Sequence, residues 1–221
     1  KTGEDGPTHA DPQVLQLLQG NFPKGVLITL TPWDVQEIWP LMIAALKARP
    51  AVLCPFVTRP PDKIIDRAAM GLPPADAAVK GVYALRKADA SAKQSGTLML
   101  QGNAVTTVFL NEVLPVLDEK GLNLNVFYVA SAELFDLLPR SEQESILPEE
   151  MCLPAMGITD FTLATMHRWI RSNDGIHRTL HSFRDGHYLG SGKAHKVIEE
   201  AGLNAEGQLS AILEYAKRIE S

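Results

Sequence analysis

Two acids and an imidazole fall within the first nine residues, in the run Gly3-Glu4-Asp5-Gly6-Pro7-Thr8-His9. Gly3 and Gly6 can take positive φ, Pro7 fixes its own φ, and Pro7 pushes Gly6 away from the helical region. Such a stretch reads as a stiff, non-helical loop that can hold Asp5 and His9 in a fixed relation. A carboxylate and an imidazole held that way can hydrogen-bond sugar hydroxyls or move a proton near neutral pH. Composition alone also allows an ordinary surface turn here. Arg59 is the third candidate. It lies two residues past an apolar run, where a guanidinium can grip a phosphate with two parallel bonds, or can simply be a solvated loop residue.

Other reactive types do not assemble as well. His177, His181, His187 and His195 crowd into nineteen residues, with only Asp185 nearby as a further ligand. Surface or interface histidines are the better reading, and no metal ligand is assigned. The run at 186–193 superficially suggests a phosphate loop, but Lys193 is followed by Ala194, so the required spacing is missing. Cys54 and Cys152 are too few for a disulfide framework or a thiol-rich zinc site, and a reducing, cytoplasmic setting fits them. Cys54 sits in an apolar run and reads as a small buried hydrophobe.

The remaining bounds are broad. A chain of 221 residues with 45% hydrophobic and 21% charged content has ample material for a core. A net charge of −5 argues against a nucleic-acid-binding face, which needs a basic surface. No apolar run approaches the roughly 20 residues a membrane span requires, so no membrane partner is expected. The first residue is Lys, not Met, and the chain opens on its strongest motif, which predicts a piece of something longer.

The elements that must position these residues follow an α/β order. Asp11-Pro12 is a helix start, and 25–30 (GVLITL) reads as a buried strand. Thr31-Pro32 repeats the start signal, with Asp34 and Glu37 as favourable charges in the first turn. The helix runs to about Lys47, and Pro40 inside it predicts a kink or a late start. Another strand at 51–57 (AVLCPFV) leads straight to Arg59. Two apolar strands around one helix predict a parallel βαβ unit, whose ligands gather at the carboxyl ends of its strands. Residues 60–80 carry four prolines and read as a linker.

A second α/β pattern follows the linker. Strands are expected at 81–85, 97–101, 122–129 and, with a proline break, 151–158. A long helix is expected from Gly102-Asn103 to about Lys120, and a brief one at 132–138. Ser141 and Glu144 have capping-box spacing for another. Asp160 is expected to cap a helix through Arg171. The run 176–183 (IHRTLHSF) alternates and reads as a strand. Ser191 is expected to cap a helix through Glu200, and a final amphipathic helix spans 205–219. Trp33 and Trp39 are candidates for exposure.

With this order in place, the chain resembles the transketolase family of thiamine-diphosphate enzymes. GEDGPTH is similar to the family's substrate loop. PAVLCPFVTR resembles its last pyrimidine-domain strand, which ends in a substrate-facing Arg. GTLMLQGNAV is similar to the start of its C-terminal domain, and SGKAHKVIEEAGLNAEGQL to its closing helices. The chain departs from the family at Thr58-Arg59-Pro60, where Ser-Arg-Gln is common, and at Ala10, where Gln is common.

The resemblance implies a partial parallel α/β pyrimidine-type domain over 1–60, a linker over 61–80, and a smaller α/β C-terminal domain over 81–221. It implies that Asp5 bonds a donor-sugar hydroxyl, that His9 contacts the sugar and its phosphate end, and that Arg59 grips the phosphate. The parent protein would be a homodimeric transferase moving a two-carbon ketol unit between sugar phosphates, with thiamine diphosphate and Mg or Ca. The Gly-Asp-Gly metal motif and the cofactor-activating glutamate of the family are absent from this chain. The piece alone is therefore expected to bind no cofactor, to carry no catalytic residue and to be inactive. A 1-deoxyxylulose-5-phosphate synthase, the beta subunit of a dehydrogenase, and a non-catalytic interaction module of the same fold are the alternatives.

Overall fold

The first pair of apolar runs forms the expected βαβ unit. A computed structural model of the protein describes residues 11–58, 63–183 and 189–220. Helix α1 (Gln13–Leu18) begins where Asp11 accepts the Gln13 N–H at 2.8 Å. Strand β1 (Leu27–Leu30) is followed by α2 (Ile38–Ala48) and β2 (Val52–Pro55). The strands pair in parallel, Leu27 opposite Val52, so α2 is the crossover. The expected cap at Thr31 shifts to Asp34, whose carboxylate accepts the Gln36 N–H at 3.1 Å and opens a 3-10 turn at Val35–Glu37. Pro40 falls in the first turn of α2, where a missing N–H costs little, so the helix starts late. Cys54 is only half-buried, a correction to the sequence reading. The cause is that β2 pairs, among the described residues, with β1 alone.

The second pattern forms a four-stranded sheet. Strands β3 (Val82–Arg86) and β4 (Gly96–Gln101) come first. A helix then runs in three parts, α3 (Asn103–Val108), a π-helical turn at Phe109–Val113, and α4 (Leu114–Glu119). Pro115 has no N–H for the carbonyl four residues back, and the ladder widens just before it. Strand β5 (Leu124–Val129) leads into α5 (Ala132–Leu137), α6 (Arg140–Ile146) and α7 (Glu149–Cys152). Strand β6 (Met156–Thr159) precedes α8 (Asn173–Arg178), α9 (Ala194–Glu200) and α10 (Ala205–Glu220). The order is β3-β5-β4-β6, with β3 antiparallel and the rest parallel.

Several local expectations fail. The strand expected at 151–158 is α7 followed by the shorter β6. The helix expected after Asp160 shrinks to a 3-10 turn at Leu163–Met166. Asp160 caps another helix instead, accepting the N–H groups of Ala104 at 2.7 Å and Val105 at 3.4 Å, at the start of α3. The strand expected at 176–183 does not form: its first three residues end α8, which Ser172 caps by accepting the Gly175 N–H at 3.0 Å. Only Leu180 bridges to Ile158. Helices α6 and α9 form, but Pro139 and Lys193 hold the cap positions that Ser141 and Ser191 were expected to fill.

Both faces of the four-stranded sheet are covered, as a parallel sheet requires. Leu98, Leu100, Val126, Tyr128 and Ile158 pack with Phe109 and Ile212 on one face, and this core continues into Ile28, Leu30 and Leu41 of the βαβ unit. Met99, Phe127 and Val129 pack with Phe135, Met166 and Trp169 on the other. The outer edge of β1 is closed by the β5–α5 corner. Glu133 accepts the Thr29 N–H at 3.0 Å and its hydroxyl at 2.6 Å, while Ala130 O accepts the Thr31 N–H at 2.7 Å.

Candidate functional site

In sequence Arg59 comes four residues after Pro55, the last residue of β2, and the described chain stops at Thr58 before it. The Phe56 N–H donates to Leu30 O at 2.7 Å, continuing the pairing past the last strand residue. The Phe56 ring meets Phe161 edge-on with centroids 5.6 Å apart. Val57 and Thr58 then lead out of the sheet. Asp5, His9 and Arg59 themselves lie outside the described residues, so their mutual geometry is not among the structural findings.

The carboxyl ends of several strands meet beside this exit. The Tyr128 hydroxyl, near the end of β5, donates to the Thr31 carbonyl just after β1 and accepts the Gly102 N–H, at 3.2 Å, just after β4. Gly102 has φ 114°, and a Cβ there would stand 2.6 Å from Asp160. The turn therefore needs glycine both for its backbone and for the approach of the capping carboxylate.

Next to this corner lies a buried polar cluster. Glu37 is fully buried and accepts the Trp33 N–H at 3.2 Å, an Arg67 guanidinium N–H at 3.1 Å and the Tyr83 hydroxyl. Arg67 also donates to Asp34 at 2.9 Å, to the Pro73 carbonyl at 2.8 Å and to Tyr83 at 3.2 Å. Its guanidinium lies 5.1 Å over the Trp33 ring, and the Trp33 indole N–H donates to Tyr83 at 2.7 Å. Burial pushes the Glu37 carboxyl up to about 7, against the pull of Tyr83 and Arg67. Burial, reinforced by Glu37, pushes the Tyr83 phenol well above its ordinary value. Glu37 and Tyr83 are shut away from solvent, while Trp33 and Asp34 border a cleft. The cluster ties the start of α2, the chain at 67–73 and β3 together. Sequence reasoning took Asp34 and Glu37 as first-turn charges and missed Arg67. The available signal was a single arginine in a proline-rich stretch between two α/β patterns.

Two clefts flank the corner. One, of about 570 Å³, lies between the α1–β1 loop and α5, with Lys24, Glu133, Asp136 and Arg168 on its walls. The other, of about 400 Å³, lies between Trp33, Lys63, Met70 and Asn103. Among the described residues no group of three or more His, Cys, Asp or Glu could hold a metal ion, and no helix is long and apolar enough to cross a membrane. His177 falls in α8 and His195 in α9, so the strand face that would have paired His177 with His181 does not exist.

No family model matches the chain. A curated transketolase from Aquifex aeolicus (strain VF5) is 30% identical over 149 residues, 67% of this chain. The transketolase from Leishmania mexicana superposes with a TM-score of 0.74 at 18% identity, covering 99% of this chain. The chain resembles transketolases and has the fold of part of one. A transketolase from Pichia stipitis, solved in complex with sedoheptulose-7-phosphate, gives a TM-score of 0.72 at 19% identity, again over 99% of this chain. The chain spans a fifth (20%) of the length of the curated transketolase and 29% of each of these two solved ones. The α/β class expected from the sequence is the class of these transketolases.

Proposed function

We propose that the chain is the C-terminal portion of a transketolase-like, thiamine-diphosphate-dependent transferase that moves a two-carbon ketol unit between sugar phosphates. The observation that carries this reading is the transketolase fold over 99% of the chain, in a sequence that opens on GEDGPTH. Asp5 serves as acceptor for a sugar hydroxyl, His9 contacts the sugar near its phosphate, and Arg59 grips the phosphate. Arg59 comes four residues after β2 in sequence, and ligands of parallel sheets gather at the carboxyl ends of their strands, which supports that role. The cofactor would supply the carbanion chemistry. We assign it and its divalent metal to the rest of the parent protein. Residues 1–60 and 81–221 form the two domains of the piece, and the parent is a cytoplasmic homodimer.

The test is reconstitution. The chain is assayed for ketol transfer from a ketose phosphate to an aldose phosphate, alone and fused to the diphosphate-binding and upstream pyrimidine-domain regions of a transketolase. Activity is expected only in the fusion. There Arg59→Ala should raise KM for phosphorylated substrates by about tenfold or more while sparing unphosphorylated ones, as expected on losing a charge-assisted pair. A fusion that binds cofactor yet transfers no ketol unit would overturn the reading.

A further inference from the structure

On the face of the sheet covered by α5, α6 and α7 there is a third cleft, of about 240 Å³. Phe135, Cys152 and Trp169 line it together with Arg140, Arg168 and Arg171. Three guanidiniums thus face two lining carboxylates, Glu144 and Glu149, in a chain whose net charge is −5. The three cations are not equally committed. Arg168 is fixed, with two bonds to Asp136 at 2.9 and 2.5 Å and its guanidinium 4.3 Å over the Trp169 ring. Arg140 is 80% exposed and stands 4.0 Å from Glu144. Arg171 pairs with Glu149 at 3.0 Å, and both are about half exposed. Exposed pairs of this kind contribute little and exchange readily for a better acceptor.

The indole of Trp169 adds a second observation. Its N–H is buried with no acceptor among the described residues, on a residue only 2% exposed. Indole can only donate, and a buried donor without an acceptor is costly. Each guanidinium has a carboxylate, but the pairs of Arg140 and Arg171 are exposed and exchangeable. A cleft with two such forks suits a compact, acceptor-rich anion, and phosphate is the commonest group with that character.

We propose that this cleft binds the phosphate group of a small anionic metabolite, with Arg140 and Arg171 exchanging their exposed carboxylates for phosphate oxygens while Arg168 stays fixed on Asp136. The site is separate from the end of β2 and does not depend on the function proposed above. Tryptophan emission reports on it, because Trp169 lines the cleft. Inorganic phosphate and glycerol 3-phosphate are titrated into the Trp39→Phe chain, with potassium chloride at matched ionic strength as control. A saturable change is expected with one or both phosphates and not with chloride. A response to glycerol 3-phosphate at lower concentration than to inorganic phosphate identifies an ester as the ligand; the reverse order identifies the free ion. Arg140→Ala with Arg171→Ala should raise the midpoint about tenfold or more. Both side chains are on the surface, and unchanged far-ultraviolet dichroism checks that this variant folds. Arg59→Ala should leave the midpoint unchanged, which separates this site from the substrate site. No saturable change, or an equal midpoint in the double variant, overturns the proposal.

Discussion

Glu37 puts a carboxyl group where water does not reach, and its partner comes from far along the chain. Arg67 is 30 residues away from Glu37 and 33 from Asp34. Removing the guanidinium leaves two buried acids unpaired, so Arg67→Met should destabilise by about 3–5 kcal/mol in chemical denaturation. Adding Glu37→Gln should recover part of that loss. The pH dependence has a definite sign. In the folded chain Glu37 holds its proton up to about 7, whereas its ordinary value is 4.5. Its contribution to stability is therefore complete below 4.5 and is lost as pH rises toward 7. The urea midpoint should fall over that window, and Glu37→Gln should flatten the fall. The charges of Asp34 and Glu37 were legible in the sequence as helix-start residues, and both do stand at the start of α2. Their burial was not, because it depends on a contact that only the folded chain makes.

Among the elements, those defined by long apolar runs were readable from sequence, and those defined by a single polar residue were not. Strands β1 and β3 to β5 lie where β-branched and apolar runs place them, since burial leaves little choice, and β2 forms in its apolar run although it is only partly buried. Asp160 was misassigned for a physical reason. An Asp can cap whichever helix brings free N–H groups within reach, and here α3 does so from across the sheet. Asp160→Ala should cost about 1–2 kcal/mol, the usual loss for a helix cap. Gly102→Ala should cost more, because it adds strain at φ 114° to displacement of the same carboxylate. Thermal melts of the two variants test the order. Gln101, the last residue of β4, is fully buried, and neither atom of its amide has a partner among the described residues. Gln101→Met should therefore hold or raise the melting temperature, since it removes an unsatisfied amide at nearly constant volume.

At the scale of the molecule, one core reaches from the four-stranded sheet into the βαβ unit, yet the far side of that unit is apolar. Trp39, Ile43 and Leu46 form a stripe along α2 and are 75%, 49% and 60% exposed. The sequence named Trp33 and Trp39 alike as candidates for exposure, but Trp33 is buried against Arg67 and Tyr83. Which of two tryptophans six residues apart faces outward depends on the linker that folds over one of them. Acrylamide should accordingly quench mainly Trp39, and Trp39→Phe should abolish most of the quenchable emission. If most of it survived, the stripe would be covered in solution. The opening motif was the clearest functional signal in the sequence, and it bears on residues outside those described.

The hydroxyl of Tyr215 accepts the Thr97 N–H at 2.9 Å and donates to the Pro154 carbonyl at 2.6 Å, so α10 closes the amino-terminal rim of β4 and β6. Thr97 leaves the ribosome 118 residues ahead of the group that completes it. At about 5–20 residues per second that is a wait of about 6–24 seconds, during which the middle of the sheet is made but not sealed. A nascent chain stalled before α10 emerges should remain open to protease even though all its strands have been synthesised.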